Sequence, residues 1–393
     1  MATLLLIVIF TGFIGLGIPD SLLGSAWPAI CEELNISSSL AWTVTTPVSC
    51  FTLLSSILSA KIIEKFGVKL VAFASTLLTA LALLGMSFAN ATWMLVLLGF
   101  PLGIGAGAID SGLNNYVALH YKATHMNFLH CFYGVGVALS PYLMSLALTF
   151  LSWRAGYRYS SLIQFVIAGI LLLSFPLWKV HSTHQSDGAK QTVTYGSYKE
   201  VLKTPICLPV CLVFLACCAI EVTAGVWSTT FLVEVKGLSK SDGAFYLVLY
   251  YVGLALGRFL SGILSSKLSL NKINALGIIS IAIGVIGLLL PTNIIFISVV
   301  ALFLIGLGVA PFYPNFSFLT PKHFGENNSQ KAMGIQMASA FIGIVTFPSL
   351  MGILASFFSM RVFAVYLAVL LGILVLSYLF FIKLSRSKNI DND

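Results

Sequence analysis

Three carboxylates stand where the sequence is otherwise apolar. Asp20 lies in Gly17-Ile-Pro-Asp-Ser-Leu-Leu-Gly-Ser-Ala-Trp27, just after an apolar run that begins at Leu4, while Asp110 and Glu221 lie inside two later runs. An unpaired buried carboxylate is costly, so each of these acids needs a partner or a task. The tasks open to them are loading and releasing a proton, accepting hydrogen bonds from a solute, holding a cation, or closing a structural salt bridge. Gly103, Gly107, Asp110 and Asn114 recur at helical spacing and share one stripe. The glycines admit a close neighbour or a solute. A seam of small residues between helices explains them equally well, but does not explain an aspartate.

Asn127, His130, Gly134 and Pro141 form a second stripe, matched by Gln336, Ala340 and Gly343 much later in the chain. A histidine here either bridges helices by hydrogen bonding or carries a proton. Glu221 shares a face with Gly225 and Ser228, beside Trp227. Pro311-Phe-Tyr-Pro-Asn315 places two prolines in one apolar run, an arrangement expected to disturb the helix and expose Tyr313 and Asn315. Pro19 likewise cannot donate a backbone bond, so a break or kink is expected just before Asp20. Broken backbone is tolerated in a membrane only along a cavity, which would place Asp20 on a water-filled route. Carbonyls freed by such a break would also be candidate sodium ligands.

The elements that must position these residues follow from composition. Only 9% of the 393 residues are charged, against roughly 25% in soluble domains, and the mean hydropathy is +0.99. Runs of about 20 apolar residues suffice to cross a bilayer. Twelve are found, at 3–30, 40–60, 69–89, 92–118, 127–150, 157–180, 205–233, 242–264, 274–291, 294–318, 330–354 and 361–383. The expected fold is therefore all-α, with twelve membrane helices in two six-helix bundles, 1–180 and 205–383. A cytoplasmic linker at 181–204 joins them and a tail follows at 384–393. The first run lacks a basic leader and a cleavage site, so it reads as a span and not a signal peptide.

The net charge of +8 is scattered through short loops and is not the footprint of a nucleic-acid binder. With a cytoplasmic N-terminus, 16 of the 21 Lys and Arg residues fall on the inner side, Arg258 among them. This bias puts both termini in the cytoplasm. Six of the seven cysteines sit inside apolar runs, Cys31 lying just past one, and read as small packing residues. The sequence contains neither H-E-x-x-H nor G-x-x-x-x-G-K-[ST], so no metal, cofactor or ATP-driven step is expected.

The halves echo one another. Trp27 and Trp227 lie two hundred residues apart with Asp20 and Glu221 before them, and Gly103-Ile-Gly105 is answered by Gly306-Leu-Gly308. Paired repeats with a binding site at their interface are the architecture of secondary transporters. The basic loop Ala60-Lys-Ile-Ile-Glu64-Lys65-Phe-Gly67-Val-Lys69 resembles the signature G-x-x-x-D-[RK]-x-G-[RK]-[RK] of the major facilitator superfamily, with Ala60 and Glu64 in place of its glycine and aspartate. That resemblance suggests gating or conformational roles for Glu64, Lys65 and Gly67, and for Arg258 in the second half.

Within the superfamily, Asp110-x-x-x-Asn114, Asn127-Phe-Leu-His130 and Gly134-Val-Gly136 leading to Pro141 resemble the fucose–proton symporter family and the sodium-dependent glucose transporter-like proteins. Members carry an acid on the first span and another on the fourth. The resemblance therefore implies proton-coupling roles for Asp20 and Asp110, with His130 standing where relatives have glutamine. Solute contact is expected from Asp110, Asn114, Asn127, His130, Glu221, Trp227, Tyr313, Asn315 and Gln336. Carboxylates, amides and aromatic rings together suit a polyhydroxylated solute.

The expected function is proton-coupled sugar uptake by alternating access, by a monomer in the inner (plasma) membrane. Sodium is the competing ion and multidrug efflux the competing function. An enzyme is not expected. In Gly136-Val-Ala-Leu-Ser140-Pro141, Ser140 stands where drug antiporters of the superfamily carry glycine, which favours uptake.

Overall fold

The computed structural model describes residues 2–36, 41–178, 197–238, 240–292 and 294–387. All regular structure among these residues is helical: α1 Ala2–Leu34, α2 Ala41–Phe66, α3 Val68–Met86, α4 Thr92–His120, α5 Ala123–Phe150, α6 Trp153–Leu173, α7 Tyr198–Lys203, α8 Cys207–Glu234, α9 Lys240–Leu264, α10 Leu270–Leu289, α11 Ile295–Val309, α12 Phe312–Phe324, α13 Glu326–Phe358 and α14 Val362–Ser387. Twelve stretches are long and apolar enough to span a bilayer. Their outward faces carry large apolar side chains, such as Leu173 and Leu376. Such a surface is stable only where lipid is the solvent.

Most of the expected linker, 181–196, and the end of the tail, 388–393, lie outside the described residues. The remainder of the linker holds α7, started by a capping box in which Ser197 and Glu200 each serve the other's backbone. The tenth span is divided into α11 and α12 at Pro311. Pro314 falls in the first turn of α12, where a missing N–H costs nothing. Gly67 joins α2 to α3 and Gly325 joins α12 to α13, with φ of 76° and 80° respectively. Both tight turns need the left-handed conformation that glycine adopts freely.

Contacts divide the chain into two compact units, Met1–His120 with Leu129–Tyr195 and Tyr121–Phe128 with Gly196–Asp393. The first turns of α5 thus cluster with the second unit. In the first unit, α2 and α4 meet through glycines: a Cβ on Gly103 would lie 2.3 Å from the Val48 carbonyl oxygen, and one on Gly107 2.1 Å from that of Thr52. These glycines admit a neighbouring helix, so the seam reading of that stripe holds. Gly343 plays the same part in the second unit, where an added Cβ would lie 2.4 Å from the Leu215 carbonyl oxygen. The core of that unit is a cluster of rings, including Phe214, Phe312, Phe316, Tyr378 and Phe381.

Candidate functional site

The helix carrying Asp20 does not break. α1 runs helical through Pro19 to Leu34, against the expectation of a kink there. The reason lies on α6. Pro19 leaves the carbonyl of Gly15, four residues earlier, without its helical donor, and the side-chain amide of Gln164 donates to that carbonyl. Gln164 is buried, so the orphaned acceptor is satisfied without water and the helix need not unwind. The Gly15 carbonyl is therefore already engaged, which weakens the case for a sodium site built on freed backbone.

Asp20 itself is exposed on α1, and the hydroxyl of Tyr133 on α5 donates to its Oδ2. Asp110, half-buried on α4, accepts at Oδ1 from Asn114 Nδ2 at 2.8 Å. Asn114 is fully buried, and its Oδ1 lies 3.1 Å from His130 Nε2 on α5. One amide thus bridges a carboxylate and an imidazole. Because its NH2 is committed to Asp110, its oxygen faces the ring and calls for a proton on Nε2. The His130 ring also sits edge-on to Phe13 of α1, 5.6 Å away.

Asn127 does not join that group. Its Nδ2 donates to Asn315 Oδ1 at 3.0 Å, and Asn315 Nδ2 donates to Asn274 Oδ1 at 2.9 Å. This chain of three amides is buried throughout. The exposure expected for Asn315 is thereby corrected: the residue is 0% exposed because the start of α12 turns it inward onto α5 and α10. Tyr313 is half-buried and its hydroxyl meets the Met337 sulfur. Gln336 Oε1 accepts from Thr320 at 2.8 Å, and Trp227 Nε1 donates to the Pro348 carbonyl at 2.9 Å.

Glu221 pairs with a cation. Arg258 Nη2 lies 3.0 Å from Glu221 Oε1, and Tyr250 donates to the Glu221 carbonyl at 2.7 Å. Arg258, counted above with the inner-side charges, lies inside α9 and is buried. A buried guanidinium needs a counter-charge, which α8 supplies. At the far end of α1, beyond the span, Glu33 accepts from Trp153 Nε1 at 2.6 Å and from Arg154. The guanidinium beside Glu33 holds its carboxyl below the ordinary value of 4.5.

A profile of the Major Facilitator Superfamily matches residues 5–329 and 295–392. The chain belongs to the Major Facilitator Superfamily. Among curated proteins it resembles Bypass of stop codon protein 6 of Saccharomyces cerevisiae, 22% identical over 377 residues, which cover 87% of this chain and 75% of the yeast protein. Three solved structures share the fold. The outward conformation of FucP aligns with a TM-score of 0.74 at 15% identity, covering 96% of this chain and 98% of that one. The proton:xylose symporter XylE gives 0.77 at 14%, covering 97% and 95%. A bacterial homologue of the iron transporter ferroportin gives 0.77 at 14%, covering 98% and 99%. This superfamily member is a multi-pass membrane transporter of a small solute, not an enzyme.

The signature-like stretch 60–69 runs through the end of α2 and Gly67 into the start of α3. Lys65 lies 5.2 Å from the Phe66 ring centroid, and the Gly67 N–H closes onto the Ile63 carbonyl at 2.8 Å. Tyr133, Gln164 and Asn274 are the polar partners that sequence reasoning did not single out. Tyr133 had a legible signal: it lies three residues after His130 and three before Gly136, on a face already marked as polar and small.

Proposed function

We propose that this transporter takes up a sugar or sugar-like solute by alternating access, driven by protons entering with it. The observation that carries the reading is the setting of the two acids in the first unit: Asp20 accepts from a phenol and Asp110 from an amide. A carboxylate that accepts from a phenol or an amide gives up no ion pair at that contact when it takes a proton. Once protonated it no longer presents a charge to the membrane interior, which eases the conformational change. The names of two fold relatives, a fucose:proton symporter and a proton:xylose symporter, support the same class of solute and ion. The ferroportin homologue shares the fold equally, so the solute reading rests on the side chains and not on the fold.

In this scheme Asp20 loads the proton, and Asp110 with Asn114 and His130 ties proton to solute. Tyr313, Gln336, Glu221 and Trp227 are proposed as solute contacts within the second unit. Asn127 and Asn315 reach solute only if their shared amide chain opens. Glu64, Lys65 and Gly67 are assigned to the conformational change, and the lysine and arginine bias to an orientation with both termini cytoplasmic in the plasma membrane.

The test is uptake of labelled monosaccharides, L-fucose and D-xylose first, into proteoliposomes. Asp20→Asn is expected to abolish accumulation driven by a pH gradient while exchange of labelled for unlabelled solute persists. Accumulation at the wild-type level in that variant would refute the assignment. Accumulation driven by sodium at fixed pH would replace the proton with sodium.

A further inference from the structure

Tyr133 occupies the tightest part of the contact between α1 and α5. A Cβ on Gly17 would lie 2.3 Å from the Tyr133 carbonyl oxygen, and one on Gly136 2.1 Å from that of Ile14. Backbone therefore rests on backbone from the Tyr133 carbonyl to Gly136. One turn further, Ser21 Oγ donates to the Val137 carbonyl at 2.5 Å and lies 2.7 Å from Ser140 Oγ. These contacts fix where the Tyr133 backbone sits relative to α1, and the phenol ends at Asp20 Oδ2. Three residues earlier on α5, His130 begins the bridge through Asn114 to Asp110. The two acids of the first unit thus address the same helix, one turn apart.

We infer that Tyr133 is the positioning residue for proton loading at Asp20: its phenol donates to the ionised carboxylate, and arrival of the proton ends that donation. An ionised carboxylate is acceptor-only, so a phenolic O–H aimed at it favours the charged form. When a proton from water binds Asp20, the acid acquires a donor of its own. The Tyr133 hydroxyl then turns about its C–O bond to accept. Tyr133 keeps its own proton throughout and relays none. The inference rests on the proposed role of Asp20 as the coupling acid.

Other charged and titratable groups on α1 and on the helices packed against it have partners of their own. His130 on α5 touches α1 through Phe13, and Asp110 on α4 lies behind Asn114. Lys69 in the first turn of α3 sits over the Phe175 ring, while Glu33 at the far end of α1 is held by Arg154 of α6. Tyr133 is the group bonded to the Asp20 carboxylate itself.

Infrared difference spectroscopy of the full-length protein in nanodiscs, titrated with pH and without solute, tests this directly. The Asp20 carboxylic-acid band is the one lost in Asp20→Asn. Tyr133→Phe keeps the ring and removes the donor, so the midpoint of that band should rise by about one pH unit. Ser21→Ala loosens the same seam without touching the carboxylate and should leave the midpoint at its wild-type position. An Asp20 band that titrates identically in Tyr133→Phe overturns the inference alone. A midpoint that Ser21→Ala moves as far as Tyr133→Phe does likewise, since packing and not the phenol would then be responsible. If no titrating band depends on Asp20, the coupling role falls, and this inference with it.

Discussion

The two units hold their intramembrane acids in opposite ways. In the first, Asp20 and Asp110 accept from a tyrosine and an asparagine. In the second, Glu221 accepts from the guanidinium of Arg258. A carboxylate held by neutral donors changes charge when it gains a proton, whereas one locked to arginine would strand a buried cation by doing so. Under the proposed coupling, the exchangeable charge belongs to the first unit and the paired charge to the second. Asp20 and Glu221, at nearly matching places before Trp27 and Trp227, thus sit in different settings.

The comparison is broken most forcefully at Arg258. Arg258→Ala leaves Glu221 uncompensated and is expected to cost about 3–5 kcal/mol, read as a large fall in melting temperature in nanodiscs. Adding Glu221→Gln should recover most of the loss. A single variant as stable as wild type would mean that the second unit does not depend on its ion pair.

A smaller effect tests a neutral contact inside the span of α1. Gln164→Leu leaves the Gly15 carbonyl without a donor inside the protein, at a cost of about 1–3 kcal/mol. Pro19→Ala restores the helical N–H, so the double variant should be more stable than Gln164→Leu alone. Equal melting temperatures would show that the carbonyl finds another partner.

The smallest effect lies at the end of α1. Because Arg154 lowers the folded-state pKa of Glu33, the pair stabilises the fold above the unfolded value and loses that contribution as pH falls through the folded value. The stability gap between wild type and Arg154→Met should therefore be present at neutral pH and close on acidification below 4.5. The pair is partly exposed, so the gap is expected to stay below about 1 kcal/mol. A gap that persists at low pH would point to the packing of Arg154 on Trp153, 4.4 Å away, as its source.

Twelve spans were legible because hydropathy is a local property that each run declares on its own. What the sequence misled about was long-range. The kink expected at Pro19 is cancelled by Gln164, which lies 149 residues after the Gly15 carbonyl it serves, and no local pattern pairs the two. Asn315 was expected to be exposed because two prolines flank the region, yet two other asparagines draw it inward. Asp110, Asn114 and His130 were all visible as polar positions on helical stripes, but only the fold shows that a single amide joins them. Arg258 read as a loop charge because its counter-ion lies 37 residues away on another helix.

The chain of three asparagines bears on how the protein can be divided. Its first member belongs to a helix whose remainder lies with the other bundle. A truncated fragment stopped before residue 197 would keep Asn127 but lose Asn315, leaving a polar side chain stranded on a greasy surface. Expressed by itself, such a piece would invite aggregation.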